Sequence, residues 1–274
     1  MKVLINFANE NFRKQQAYNT KTGYSVGKFD KVIEYSPKDI DEEFYKKNED
    51  ILKIERGCGL WLWKPYFILK TLNELNEGDY LFYCDSGAYF LSSIDNLISV
   101  MERDHTDVMC YEIPLLEYEW TSKRCIDGMK CNSPEYLYTP QREGGFILLK
   151  NTPFAKSIIA EFLHLCENKD LLIGDELGDQ CITHREDQSI WSLLTKKYKI
   201  KSYREPSQYG FLPRMFIRYS IARTGVANVC FTDHSDSSYP IIVYLYRKEA
   251  HYKFIPRVIS RLRLMRAMYF NNKL

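Results

Sequence analysis

No stretch of this 274-residue chain approaches the roughly 18–20 uninterrupted apolar residues that a spanning helix requires, so no transmembrane segment is expected. The opening MKVLINFANENFRKQQ holds only about seven mainly apolar positions before Asn9 and Glu10, too few for a secretory leader. The eight cysteines (58, 84, 110, 125, 131, 166, 181 and 230) include no C-x-x-C pair. Cys125 and Cys131 are too isolated to supply a four-ligand metal centre, and reduced, mostly buried thiols of a cytosolic protein are expected. Also missing are an internal repeat, a low-complexity linker and a recognised nucleic-acid motif.

What is present describes a folding chain. With 45% hydrophobic and 27% charged residues, the composition excludes a disordered protein and is enough for one large domain or a domain with an appendage. The near-neutral total of +2 conceals a division: residues 1–195 carry 22 Lys/Arg against 32 Asp/Glu, whereas residues 196–274 carry 16 against 4. A net −10 followed by a net +12 leaves the second part a candidate surface for phosphates, nucleic acid or an anionic membrane.

Short apolar runs read as strands at Lys2–Ala8, Phe29–Tyr35, Tyr80–Asp85, Val108–Ile113, Phe146–Lys150, Ile200–Tyr203 and Ile241–Tyr246. Helical spacing marks Asp39–Leu52, Pro65–Asn76, Ile94–Met101, Pro153 to about Asn168, and Arg185–Tyr198. This alternation predicts an α/β fold whose central mixed, mainly parallel sheet is flanked by helices. The expected division is a domain over residues 1–250 followed by a basic amphipathic helix over 251–274. Leu116–Arg142 reads as an irregular polar loop, of the length usual for a lid or a disordered stretch.

Ligands of open α/β sheets bind beyond the carboxyl ends of strands, where Asp85-Ser86-Gly87 falls. A carboxylate there suits a divalent cation or a ribose hydroxyl, while capping and a simple turn are the alternative. Arg56-Gly57-Cys58-Gly59-Leu60-Trp61-Leu62-Trp63-Lys64-Pro65 combines glycines that expose backbone amides with two cations beside a helix N-terminus, a pattern suited to phosphate oxygens. Its tryptophans also read as packing anchors. Gln141-Arg142-Glu143-Gly144-Gly145-Phe146 is either a backbone-lined sugar pocket or a tight turn. In His184-Arg185-Glu186-Asp187-Gln188-Ser189, Asp187 or Glu186 is a candidate base and His184 a neighbour that tunes it or binds metal; ordinary partnership with the helix dipole is the alternative.

Together and in this order, these segments resemble bacterial glycosyltransferases of polysaccharide synthesis with a GT-A-like, nucleotide-diphospho-sugar transferase fold. The matching patterns are N-E/D-N-F/Y-x-K-x-Q at Asn9–Gln16, R-G-x-G-Y-W-x-W-K-P at Arg56–Pro65 with Leu60 in place of Tyr, Y-x-D-x-G at Tyr83–Gly87, Q-x-x-G-G-F at Gln141–Phe146, and H-R-x-D-Q-S at His184–Ser189. The likeness spans about residues 1–246. It implies a hexosyltransferase that moves a sugar from a nucleotide-diphosphate donor, expected to be a UDP-sugar, to a hydroxyl of a lipid-linked or oligosaccharide acceptor in capsule, O-antigen (lipopolysaccharide) or related glycan synthesis. Donor contacts are then expected at Asn9, Arg56, Gly57, Gly59, Trp63, Lys64, Asp85, Ser86, Gly87, Arg142, Gly144 and Gly145, with Asp187 the first candidate base and Glu186 the second. Asp85 matches the first carboxylate of a D-x-D metal motif. Gly87 stands where the second would be, which leaves a requirement for Mn²⁺ or Mg²⁺ open, with His184 a weak further ligand. Without a metal, Arg56, Lys64 and Arg142 must stabilise the leaving diphosphate.

From His251 to Leu274 there are six Lys/Arg and no acid. Val258, Ile259, Leu262, Met265, Met268 and Tyr269 share one helical face, and Arg257, Arg261, Arg263 and Arg266 lie mostly around the other. Such a helix reads either as a membrane-surface element, placing a cytoplasmic enzyme on the inner face of the cell membrane, or as a helix docked on the body with its apolar face inward. Lys196, Lys197, Lys199, Lys201, Arg204, Arg214, Arg218 and Arg223 could extend that basic surface. Two other functions compete: a nucleotidyl or phosphosugar transferase, which would want a glycine-rich phosphate loop that Phe7-Ala8-Asn9-Glu10 does not supply, and a nucleic-acid-binding module built on the basic region.

Overall fold

In the computed structural model, which describes residues 1–212, 228–246 and 253–271, the first apolar run forms β1 (Lys2–Phe7). Helix α1 (Arg13–Thr22) then returns the chain to β2 (Lys31–Tyr35), parallel to β1. Helix α2 (Trp63–Glu74), with Pro65 in its first turn, leads to β3 (Tyr80–Cys84), parallel on the other side of β1. The chain continues through β4 (Ala88–Phe90), α3 (Asp95–Arg103), β5 (Val108–Leu116), β6 (Pro140–Arg142), β7 (Phe146–Lys150), α4 (Pro153–Cys166), α5 (Glu186–Lys197), β8 (Ser202–Arg204), β9 (Val243–Leu245) and α6 (Phe254–Asn271).

Seven strands make one sheet in the order β2-β1-β3-β7-β5-β6, with β8 on β5; β4 and β9 form a separate antiparallel pair. β7 runs against β3 and β5, and β6 runs against β5, while β1, β2, β3, β5 and β8 share one direction. The mixed, mainly parallel sheet expected from the sequence is therefore present. Because strand side chains alternate in direction, Val3, Ile5, Leu81, Tyr83, Ile147 and Leu149 bury against one helical layer with Phe67, Phe162 and Trp191. Leu4, Phe82, Met109, Phe146 and Leu148 build the other core with Phe29, Phe90, Leu97 and Met101.

Two expectations change. The single helix read over Asp39–Leu52 is broken: Asp39 ends a short turn, capped through its bonds to Ser36, and separate helices run over Glu42–Lys47 and Glu49–Leu52. Asn48 interrupts them at φ −117° and ψ 23°, outside helical geometry. Leu116–Arg142 is not an irregular loop but a folded insertion with helices Glu117–Trp120, Lys123–Gly128 and Pro134–Leu137 and the strand β6. Trp120, Cys125, Met129 and Cys131 are buried within it. It is held to α5 through the fully buried Glu117, which accepts from Lys196 Nζ at 2.6 Å, Thr121 Oγ1 at 2.5 Å and the Ser192 hydroxyl.

α6 lies on the body through Ser260, Leu264, Ala267 and Met268, and Arg257 donates to the Tyr18 hydroxyl at 2.6 Å. Its larger apolar side chains, Ile255, Val258, Ile259, Leu262, Met265 and Tyr269, are exposed. The docked face is thus opposite the apolar stripe expected from the sequence, except that Met268 turns onto the body. Arg214, Arg218 and Arg223 lie outside the described residues.

Candidate functional site

A cleft of about 1070 Å³ opens at the carboxyl ends of β1 and β3. One wall is a turn of unusual hand. From Gly57 to Trp61 every residue has positive φ: 61°, 54°, 92°, 52° and 61°. Left-handed backbone costs a non-glycine residue about 1–2 kcal/mol, and here Cys58, Leu60 and Trp61 bear it without glycine's freedom. Surrounding bonds compensate: the Trp63 indole donates to the Gly57 carbonyl at 2.8 Å, and Gly59 N donates to the Ile54 carbonyl at 2.8 Å. Trp63 also stacks on Phe7 at the end of β1, with ring centroids 3.7 Å apart. A Cβ on Gly59 would stand 2.8 Å from the Leu52 backbone, so glycine is required there. The turn places Arg56, Cys58 and Trp61 at the cleft mouth.

The cleft floor comes from paired strand ends. Asp85 follows β3, and its amide donates to the Gly145 carbonyl just before β7, at 2.9 Å. Asp85 Oδ1 accepts from the Tyr83 hydroxyl at 2.6 Å; burial and this carboxylate raise the Tyr83 phenol well above its usual pKa. Ser86 donates to the Phe7 carbonyl at 2.6 Å, tying the loop to β1. Asn9 caps the turn after β1 and reaches the Cys58 sulfur at 3.2 Å. A Cβ built on Gly145 would lie 2.8 Å from Glu143 Oε1 and 3.1 Å from Asp85 Oδ2. The missing side chain leaves space beside both carboxylates, Glu143 Oε1 accepting from the Gly145 amide at 3.2 Å, and two carboxylates on one such space fit a hard divalent cation. Among the described residues no group of three or more His, Cys, Asp or Glu could hold a metal, so further ligands would come from a substrate and water.

Two ion pairs join the first half of the chain to α5. Lys64 Nζ donates to Asp187 Oδ2 at 2.5 Å and to the Gly144 carbonyl at 2.9 Å, with both charged side chains buried. Burial opposes the Lys64 charge, but Asp187, Asp85 and Glu143 outweigh it and hold its pKa above the usual lysine value. Burial, against the pull of Lys64, pushes Asp187 up to about 7, with Asp85 and Glu186 adding to the rise. The Lys64 direction follows from several carboxylates sharing one enclosed ammonium, and the Asp187 direction first from burial. At the rim, Arg56 Nε donates to Glu186 Oε1 at 2.5 Å, and Glu186 sits at φ 45°, a strained position for a residue opening a helix.

Apart from Gly59, Arg142 and Gly144, every residue expected at the site lines this cleft. Three roles need correction. Lys64 is sealed into a pair with Asp187, so neither is a free phosphate contact or a free base. Arg142 is buried on β6 with its register partner Glu112, away from the cleft. His184 is no metal ligand: Nδ1 accepts from the Ser122 amide at 3.2 Å, which assigns the proton to Nε2 and its donation to the Leu171 carbonyl at 3.0 Å. Burial lowers the His184 pKa to about 4, so the ring is neutral. Glu143 and Tyr83 were missed. The available signal for Glu143 was its place just before the strand that pairs with β3.

No family model matches the chain, and no curated protein matches it in sequence. Among solved structures it is similar to apo mouse xyloside xylosyltransferase 1, at 10% identity and a TM-score of 0.49, over 89% of this chain and 96% of that one. It is also similar to the galactosyltransferase LgtC in complex with donor and acceptor sugar analogues, at 14% identity and 0.47, over 90% and 87%. A third likeness is to apo glycosyltransferase GlyE of Streptococcus pneumoniae TIGR4, at 17% and 0.42, over 89% of this chain and 54% of that one.

Proposed function

We propose that the protein is a GT-A-like glycosyltransferase that uses a nucleotide-diphosphate sugar, expected to be a UDP-sugar, to extend a surface glycan such as capsule or O-antigen. The observation that carries this reading is convergence: five sequence segments separated by up to about 180 residues contribute Asn9, Arg56, Asp85, Gly145 and Asp187 to one cleft at the strand ends. Its volume, about 1070 Å³, lies just above the roughly 300–1,000 Å³ usual for ligand pockets and suits an extended ligand. The reaction breaks the bond between the anomeric carbon and a diphosphate oxygen, forms one to an acceptor hydroxyl, and releases nucleoside diphosphate and a proton.

Arg56 lends its Nη donors to the developing diphosphate charge, its Nε being held by Glu186. Asp85 and Glu143 are the residues that would hold a divalent cation, which supplies charge neutralisation to the leaving group. Tyr83 orients Asp85. Asp187 acts through Lys64, fixing the ammonium that holds the Gly144 carbonyl and the loop carrying Glu143. That leaves Glu186 the candidate proton acceptor at the rim.

The acceptor is lipid-linked, and α6 turns its apolar stripe toward an anionic membrane surface. Arg263 and Arg266, with no acid along the helix, match such a surface in charge, each cation near it being worth about 1 kcal/mol, while Arg257 bonds Tyr18 on the body. Among the described residues no helix is long and apolar enough to cross a membrane, consistent with a helix lying in the interface.

Thermal-shift measurement with UDP, GDP and CDP, each with and without Mn²⁺, tests the donor site. One nucleoside diphosphate is expected to raise Tm in the wild type and not in Asp85→Ala, which also loses sugar transfer. No shift with any of them, or transfer undiminished in Asp85→Ala, overturns the assignment.

A further inference from the structure

A second hollow of about 340 Å³ adjoins the cleft, sharing Tyr209 with it, beside the latter half of β5 and the end of β8. Its polar side is built. Glu112 accepts from Ser202 Oγ at 2.5 Å and lies 3.2 Å from His234 Nε2. Burial would raise this carboxyl, but bonds from His234, Ser202 and Thr232 hold it at about 2, so it is ionised. The Arg204 guanidinium sits 5.0 Å from the Phe211 ring centroid and 4.9 Å from that of Tyr239, and donates to the Tyr239 carbonyl. Glu205, deeper still, accepts from the amides of Ser207 and Gly210 at 3.1 and 2.8 Å.

Each charge on this wall is answered within the wall, so a charged ligand gains little there. Remaining on offer are the face of the 54% exposed Phe231 and the spare lone pairs of carboxylates, which accept from hydroxyls. The volume lies at the low end for ligand pockets, roughly 300–1,000 Å³. It is sized for a sugar ring and not for a nucleotide sugar.

We propose that this hollow is a saccharide subsite, seating a neutral ring of the acceptor on Phe231 with hydroxyls directed to Glu112, so that the chain of sugars enters the cleft past Tyr209. The inference rests on the glycosyl-transfer reading above, but sugar binding is measured without donor. Saturation-transfer NMR of the full chain uses methyl β-D-galactopyranoside, methyl β-D-glucopyranoside and lactose as probes. Saturation of at least one probe is expected, weakened about fivefold or more in Phe231→Ala, reduced in Glu112→Gln, and unchanged in Asp85→Ala. Absence of saturation for all three probes overturns the subsite, as does equal saturation in Phe231→Ala. Saturation lost in Asp85→Ala and kept in Phe231→Ala places the sugar in the cleft and overturns it too. Failure of the donor reading shows separately, as the absence of any nucleotide thermal shift.

Discussion

Lys64 and Asp187 decide what the centre of the cleft can do. Removing one member of a buried pair strands the other charge, at a cost of about 3–5 kcal/mol, whereas replacing both with apolar groups of similar volume is often near neutral. Lys64→Met is therefore expected to lower unfolding free energy by about that amount, and Lys64→Met with Asp187→Leu to recover most of it; urea denaturation of the variants measures both. The pH dependence has a defined sign. Asp187 has its pKa raised from 3.8 to about 7 in the folded protein, so between those values the native state holds the proton more tightly than the unfolded chain. Its contribution to stability falls as pH rises through this window and levels off above about 7. Asp187→Asn should remove that component from the wild-type pH profile. Motif spacing marked both residues but not their pairing, because Lys64 looked like a free cation at a helix N-terminus. Glu143 escaped for a related reason: a D-x-D pattern searches two residues along the chain, and Glu143 comes to the same side of Gly145 as Asp85 through the antiparallel pairing of β3 and β7.

Among the elements, the left-handed turn from Gly57 to Trp61 is the most specialised. Gly57→Ala would put a Cβ 2.4 Å from the Trp61 ring at φ 61°. The backbone alone costs about 1–2 kcal/mol, and the tryptophan must move from the cleft mouth. Expected outcomes are a loss of stability of at least that size in denaturant melts and a raised KM for the donor. Periodicity could not reveal this turn, since helical spacing presumes a right-handed backbone, though the two glycines did mark the segment as exceptional. By contrast, β1, β3, β7 and α4 were legible because their apolar runs are continuous or follow a clean helical period. The Leu116–Arg142 insertion was not: its buried Trp120 and Cys125 fall in helices of four to six residues, too short to establish a period, and its fixation depends on Glu117 meeting Lys196 from far along the chain.

For the whole molecule, the charge division seen in the composition has a spatial counterpart in α6, a basic helix that keeps its larger apolar side chains outside. Leu262→Glu with Met265→Glu alters only exposed positions, so the fold should survive. Burying such side chains is worth about 1.5–3 kcal/mol each, and co-sedimentation with phosphatidylglycerol-containing vesicles should fall about tenfold or more while thermal stability is kept. The cleft itself joins distant parts of the chain: Lys64 and Asp187 are 123 residues apart, and Arg56 and Glu186 are 130 apart. Synthesis at roughly 5–20 residues per second delivers Asp187 roughly 6–25 s after Lys64. For that interval the nascent N-terminal half carries an ammonium destined for enclosure without the carboxylate that pairs with it. Completion of the cleft therefore waits for α5 to leave the ribosome, and a chain stalled before residue 187 would hold the left-handed turn, Asp85 and Glu143 together only through the bonds of Lys64 to Gly144 and of Asp85 to Gly145, without either ion pair to α5.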